Sequence, residues 1–217
     1  MLFDIPLLLM ICTAMVILIG ISIFYFRSQT GRKARLLDVA HALTLETVGT
    51  DRKNTWMIGG EIFERPCRLV YYLRKDAATY AKWIRWEKTR IPDALELIVE
   101  CSTSILLSVE RKKGYALRRT DGYSMVPVPA SAFDTELAYS SINPEAVLRW
   151  LEEPDVTAEL AWLFFTFGLD KLDAQAGELT AYTPDPLDSS MKAENIKNAM
   201  EILSRLAESL ERLSARK

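Results

Sequence analysis

The chain has 217 residues, 49% of them hydrophobic, with 27 basic and 29 acidic side chains for a net charge of −2. That length holds one domain with a sizeable core, and so hydrophobic a composition excludes an intrinsically disordered chain. One histidine and three scattered cysteines supply neither a disulfide framework nor metal-ligand spacing.

The charge is segregated along the chain. Residues 27–119 carry net +8, residues 120–190 net −11 and residues 191–217 net +2. Such a division bears on association and not on fold.

Residues 7–26, LLLMICTAMVILIGISIFYF, are uncharged. Twenty helical residues span roughly 30 Å, the thickness of a bilayer's hydrocarbon core. The run predicts a transmembrane helix. A cleaved signal peptide fits worse, because no basic region precedes the run and no small-residue cleavage site follows it. Cys12 follows Ile11, against a lipoprotein signal. Arg27, Arg32, Lys33 and Arg35 follow the run as a juxtamembrane basic set. By the positive-inside rule they place the N-terminus outside and the rest in the cytoplasm, a single-pass inner-membrane arrangement. The expected division is an anchor at 1–28, a juxtamembrane amphipathic helix at 29–50 and a soluble α+β domain at 51–217.

In chain order, Leu36, Ala40 and Leu43 give residues 30–48 a helical apolar stripe, with Gly49 as its stop. Residues 56–63, 67–74, 93–101 and 105–112 alternate with period two, as half-buried antiparallel strands do. Ser102-Thr103-Ser104 is short enough to join the last two as a hairpin. Gly59-Gly60 suggests a bulge or close backbone packing. Asp121-Gly122 is a second hairpin signal, and residues 133–141 alternate again. Asn143-Pro144 reads as a helix cap followed by proline at the first helical position. The next helix is capped by Asp155, buries Leu160–Phe167 and stops at Gly168. A short hairpin turns at Ala176-Gly177. Residues 189–216 form a long helix with Ile196, Ala199, Leu203, Leu206, Leu210 and Leu213 on one face. That face suits docking on the domain's own sheet, with a homodimer through this helix as the alternative. A block of strands followed by helices predicts an α+β fold, its antiparallel sheet packed against helices.

The stretch KDAATYAKWIRWEKTR at 75–90 separates two good strands. It interleaves Tyr80, Trp83 and Trp86 with Lys82, Arg85, Lys88 and Arg90. These residue types meet a bilayer interface or a partner, and the same set would stack on and neutralise nucleic acid. Nucleic acid is the weaker reading for a tethered domain. They are the candidate contact residues; the blander reading is a long hairpin covering its own sheet.

No nucleophile elbow, P-loop or dinucleotide fingerprint occurs, and no catalytic, cofactor or metal-binding residue is assigned. His41, the sole imidazole, reads as an ordinary helical residue. The expectation is a membrane-anchored interaction or accessory subunit of a larger membrane-associated assembly, meeting the lipid bilayer and other subunits. A tethered hydrolase using surface carboxylates and an anionic-lipid-sensing domain are the alternatives. WMIGGEIFERPCRLVYYL, FDTELAYSSINPEAVLRWL and LDKLDAQAGELTAY, with the final helix, make residues 36–213 similar to bacterial single-pass membrane-anchored α+β proteins of unknown function. That resemblance implies no activity, cofactor or site residue.

Overall fold

The computed structural model describes residues 15–17, 19, 31, 34–48, 55–72, 94–112, 122–128, 136–175, 177–184, 186 and 190–215. The chain forms two compact units, Met1–Asp38 and Val39–Lys217. In the first, residues 15–17, 19, 31 and 34–38 are helical.

The expected single-pass helix and inner-membrane location are corrected here. Among the described residues no helix is long and apolar enough to cross a membrane. A crossing needs about 20 consecutive apolar helical residues. Of the run at 7–26 only Met15, Val16, Ile17 and Ile19 are described. The rest of the run, with Arg27, Arg32 and Lys33, lies outside the described residues.

The second unit is α+β. Among the described residues nine strands form one antiparallel sheet: β1 (Glu46–Val48), β2 (Thr55–Ile62), β3 (Arg65–Tyr72), β4 (Ala94–Glu100), β5 (Leu107–Arg111), β6 (Ser124–Met125), β7 (Leu137–Ser141), β8 (Lys171–Gln175) and β9 (Glu178–Pro184). Their order is β1-β2-β3-β4-β9-β8-β5-β7-β6. Three helices follow β7 in the chain: α1 (Pro144–Leu151), α2 (Pro154–Ala161) and α3 (Ala193–Ala215), with α2 continuing as a π-helix over Trp162–Phe167.

The expected helix over 30–48 is shorter at its C-terminal side. It ends at 42, Thr44 takes φ 56°, and β1 begins at Glu46. Gly60 on β2 is a close-packing glycine: a Cβ there would lie 2.8 Å from Leu45 Cδ2. The β2–β3 hairpin turns through Phe63 and Glu64, with φ 52° and 60°. Positive φ at both central residues is what a type I′ turn requires, but glycine and asparagine adopt it more cheaply.

The expected hairpin of β4 with β5 does not form. β4 pairs with β3 and β9, and β5 with β7 and β8, so the β8–β9 hairpin lies between them. The Ser102–Ser104 link is held by α3 instead. Ser102 N donates to Glu211 Oε1 at 2.8 Å, and the hydroxyls of Ser104 and Ser214 meet at 2.7 Å. The β8–β9 hairpin forms as read, with Gly177 at φ +87°. Asp121 of the other hairpin signal lies outside the described residues.

Asn143 Oδ1 accepts from Ala146 N at 3.2 Å, capping α1 with Pro144 in its first turn. Asp155 sits in the first turn of α2, and Glu153 is the N-cap. Gly168, at φ +97°, closes the π-helix by donating its N–H to Leu163 O. The register puts Ile58, Leu69, Leu97, Ala181, Leu172, Val109 and Tyr139 in one cross-sheet row. Every member of that row is buried. α3 packs on β4 and β9 with Ile196, Met200, Leu203, Leu206 and Leu210 buried. One fully buried leucine stabilises by about 1.5–3 kcal/mol, so this face accounts for much of the fold. The long helix thus spends its apolar stripe inside its own unit.

Candidate functional site

Strand alternation that sends one set of side chains to the helices sends the other set to the opposite face. In register there lie Val70, Glu96, Tyr182, Lys171, Glu110 and Ala138 as one row. The next row holds Arg68, Ile98, Thr180, Asp173, Ser108 and Ser140. Beyond it Glu61 stands opposite Pro66, and Glu178 lies between Glu100 and Gln175. Within these strands the face carries Arg68 and Lys171 against Glu61, Glu96, Glu100, Glu110, Asp173 and Glu178. With Glu46 of β1, opposite Gly59 in the Arg68 row, two basic and seven acidic side chains give it net −5 among the described residues.

The centre of this face is a linked polar cluster. Tyr72 Oη donates to Glu96 Oε2 at 2.6 Å. Glu96 is only 7% exposed. Burial pushes its carboxyl above the ordinary value, the Tyr72 hydrogen bond opposes this, and the charges of Asp173 and Glu178 add to it. Lys171 Nζ lies 2.8 Å from Asp173 Oδ2 and 3.1 Å from Glu110 Oε1. Burial works against its charge, but the attraction of Asp173 and Glu110 wins and its pKa is raised. Burial, then Asp170 and Glu96, push the Tyr182 phenol up to about 12. Burial also raises Tyr123, which senses both Asp173 and Lys171. Arg68 is ion-paired with Glu178. Asp173 Oδ1 is a buried acceptor with no hydrogen-bond partner.

A lysine held charged between two carboxylates is a poor nucleophile or base, and a phenol raised to about 12 remains a donor. What the face offers outward is carboxylate oxygen. Among the described residues no group of His, Cys, Asp and Glu is arranged to hold a metal ion.

A groove of about 730 Å³ lies beside the helices, lined by Ile105, Asn143, Arg149, Glu152 and Leu213 among others. Its charges are largely matched within the chain: Arg149 lies 4.0 Å from Glu145, and Arg212 lies 3.7 Å from Glu153. The thiols of Cys67 and Cys101 are buried, and burial pushes them up to about 11 and about 12. Neither is activated as a thiolate.

Tyr80, Lys82, Trp83, Arg85, Trp86, Lys88 and Arg90 lie outside the described residues. Arg35 and His41 are described and exposed, on helical residues. Glu96, Lys171 and Asp173 were not singled out from sequence. Their alternation marks them as outward-facing, but only the register across β4, β9, β8 and β5 brings them together.

No protein-family model matches the chain, and no curated protein matches it in sequence. In structure it is similar to the mycobacterial trehalose monomycolate transport factor A, TtfA. The TM-score is 0.51 at 10% identity, over 84% of this chain and 94% of that one. At that identity the likeness is one of fold alone.

Proposed function

We propose that this chain is an interaction or accessory subunit of a larger assembly and acts by binding. One observation supports the reading above the others. The helices cover one face of the sheet, and the other face presents, among the described residues, a carboxylate-rich surface of net −5. Its central lysine and phenol are tuned away from nucleophilic work. A related fold in a protein named a transport factor suits an accessory role. The reading makes no use of a membrane anchor.

The test is affinity purification of the full-length chain after in-cell crosslinking, with the linked peptides mapped by mass spectrometry. Stoichiometric partners crosslinked through the carboxylates of Glu100, Glu178 or neighbouring residues of the polar face are expected. Turnover of ester, glycoside or phosphate substrates by the purified chain, abolished by Glu96→Gln, would overturn the reading.

A further inference from the structure

Among the described residues Glu96 is the one acidic or basic side chain that is buried. It lies two residues into β4, close to an end of the sheet. Thr55, Tyr72, Ala94 and Pro184 form the last row there in register. Tyr72 is the final residue of β3 and Ala94 the first of β4. The hydrogen bond from Tyr72 Oη to Glu96 Oε2 therefore clasps that closing pair diagonally, a spacing that long side chains bridge.

Among the described residues no cation is paired with this carboxyl. The groups that face it are Tyr72 and Arg68 on β3, Tyr182 and Glu178 on β9, Lys171 and Asp173 on β8 and Glu110 on β5. Tyr123 lies beyond them and senses Asp173 and Lys171. Lys171 is already held by Asp173 and Glu110, and Arg68 by Glu178. Burial above all raises the Glu96 carboxyl, the Tyr72 bond opposes it, and the charges of Asp173 and Glu178 add to it. A protonated carboxyl suits the site, because its carbonyl oxygen still accepts from Tyr72 and it needs no counter-ion. An ionised one has a single donor in a place closed to water, which disfavours it strongly.

We propose that the Tyr72–Glu96 pair is a proton-operated latch on this end of the sheet: with Glu96 protonated the last pair of β3 and β4 stays closed, and when Glu96 loses its proton that pair opens to let water reach the carboxylate. The terminal pair is the shortest route to water, and strand ends open at lower cost than strand centres. The latch stands apart from the accessory-subunit reading and holds or fails without it.

The experiment is residue-resolved amide hydrogen exchange on the full chain by NMR, expressed as protection relative to the intrinsic rate at each pH, from about pH 5 to about pH 7.5. Protection at Tyr72 and Ala94 should fall on the order of tenfold across that window, while Leu69 and Leu97, further into the sheet, hold theirs. A flat profile at Tyr72 and Ala94, or an equal fall at Leu69 and Leu97, overturns the latch.

Three variants sharpen the test. Glu96→Gln should keep the closed-state protection across the window. Glu61→Gln, which removes an exposed carboxylate from the same face, should retain the parent's fall. Tyr72→Phe should move the fall to higher pH, because the lost bond favours the ionised form. A fall that survives Glu96→Gln, or disappears in Glu61→Gln, shows that another carboxylate is responsible. A fall that Tyr72→Phe leaves in place shows that Tyr72 takes no part. Each of these results ends the proposal.

Discussion

Trp150 donates its indole N–H to Ser209 Oγ across 2.6 Å, at a point where α1 and α3 exclude solvent from both residues. Ser209 in turn donates its O–H to Leu206 O at 2.9 Å, so the hydroxyl both accepts and donates. Ser209→Ala would strand a buried donor without opening a large cavity. The expected loss is about 1–3 kcal/mol, seen as a lower urea midpoint with an unchanged slope. A loss well under about 0.5 kcal/mol would mean that a water or a shifted helix replaces the hydroxyl.

Arg65 and Glu211 join the end of the sheet to the last turns of α3. The guanidinium donates at 2.9 and 2.7 Å to the two carboxylate oxygens, and Ser102 N donates to one of them at 2.8 Å. The Arg65 hydrogen bond holds the Glu211 carboxyl below its ordinary value of 4.5, against the opposing effect of burial. A depressed carboxyl stabilises the fold above its unfolded value and loses that contribution as pH falls through the folded one. Glu211→Gln should cost about 1–2 kcal/mol at neutral pH and flatten the acid side of the stability profile. An acid limb as steep as the parent's would show that other carboxylates set it.

The turn between β2 and β3 stores strain that substitution can release. Phe63 and Glu64 both hold positive φ, which costs an L-residue roughly 1–2 kcal/mol. Phe63 is also 46% exposed and so contributes little burial in return. Phe63→Asn with Glu64→Gly should raise stability by about 1–2 kcal/mol. A drop instead would mean that the exposed ring contributes more than the turn costs.

Much of this architecture is written locally. Leu95, Leu97, Val99, Ile105, Leu107 and Val109 alternate so cleanly that their common burial follows from period two alone, and all are at most 2% exposed. The cap at Asn143, the stop at Gly168 and the turn at Gly177 are equally local signals. Strand order is not. Adjacent segments separated by Ser102–Ser104 look like a hairpin, yet β8 and β9 enter between them. In the structure that link is bonded to α3 instead of turning as a hairpin. The polar cluster escaped for the same reason. Glu96 and Lys171 are neighbours of Tyr182 in the sheet but 75 residues apart in the chain. A lone outward glutamate in a strand reads as solvated until the strands beside it are known. For the anchor, hydropathy alone predicted a crossing, and no helix among the described residues is long and apolar enough to make one.

Glu96 should respond to pH in the opposite sense to Glu211. Burial raises its folded-state carboxyl above the ordinary value of 4.5, with only the Tyr72 hydrogen bond and Arg68 pulling the other way. A raised carboxyl contributes stability that is fully present below its unfolded value and lost as pH rises through its folded one. The parent should therefore weaken as pH climbs from about 4.5 toward neutrality, over the window in which Glu96 ionises. Glu96→Gln retains an oxygen for Tyr72 Oη and removes the charge. It should be more stable than the parent at neutral pH and lose that stretch of the profile. Tyr72→Phe should do the reverse, lifting the Glu96 carboxyl further because the bond favouring its ionised form is gone. Carbon-13 titration of the carboxyl reads both effects directly. A Glu96 that titrates at or below 4.5, or a Glu96→Gln variant less stable than the parent at neutral pH, would show that the carboxylate is solvated and that no proton is taken up at the centre of the polar face.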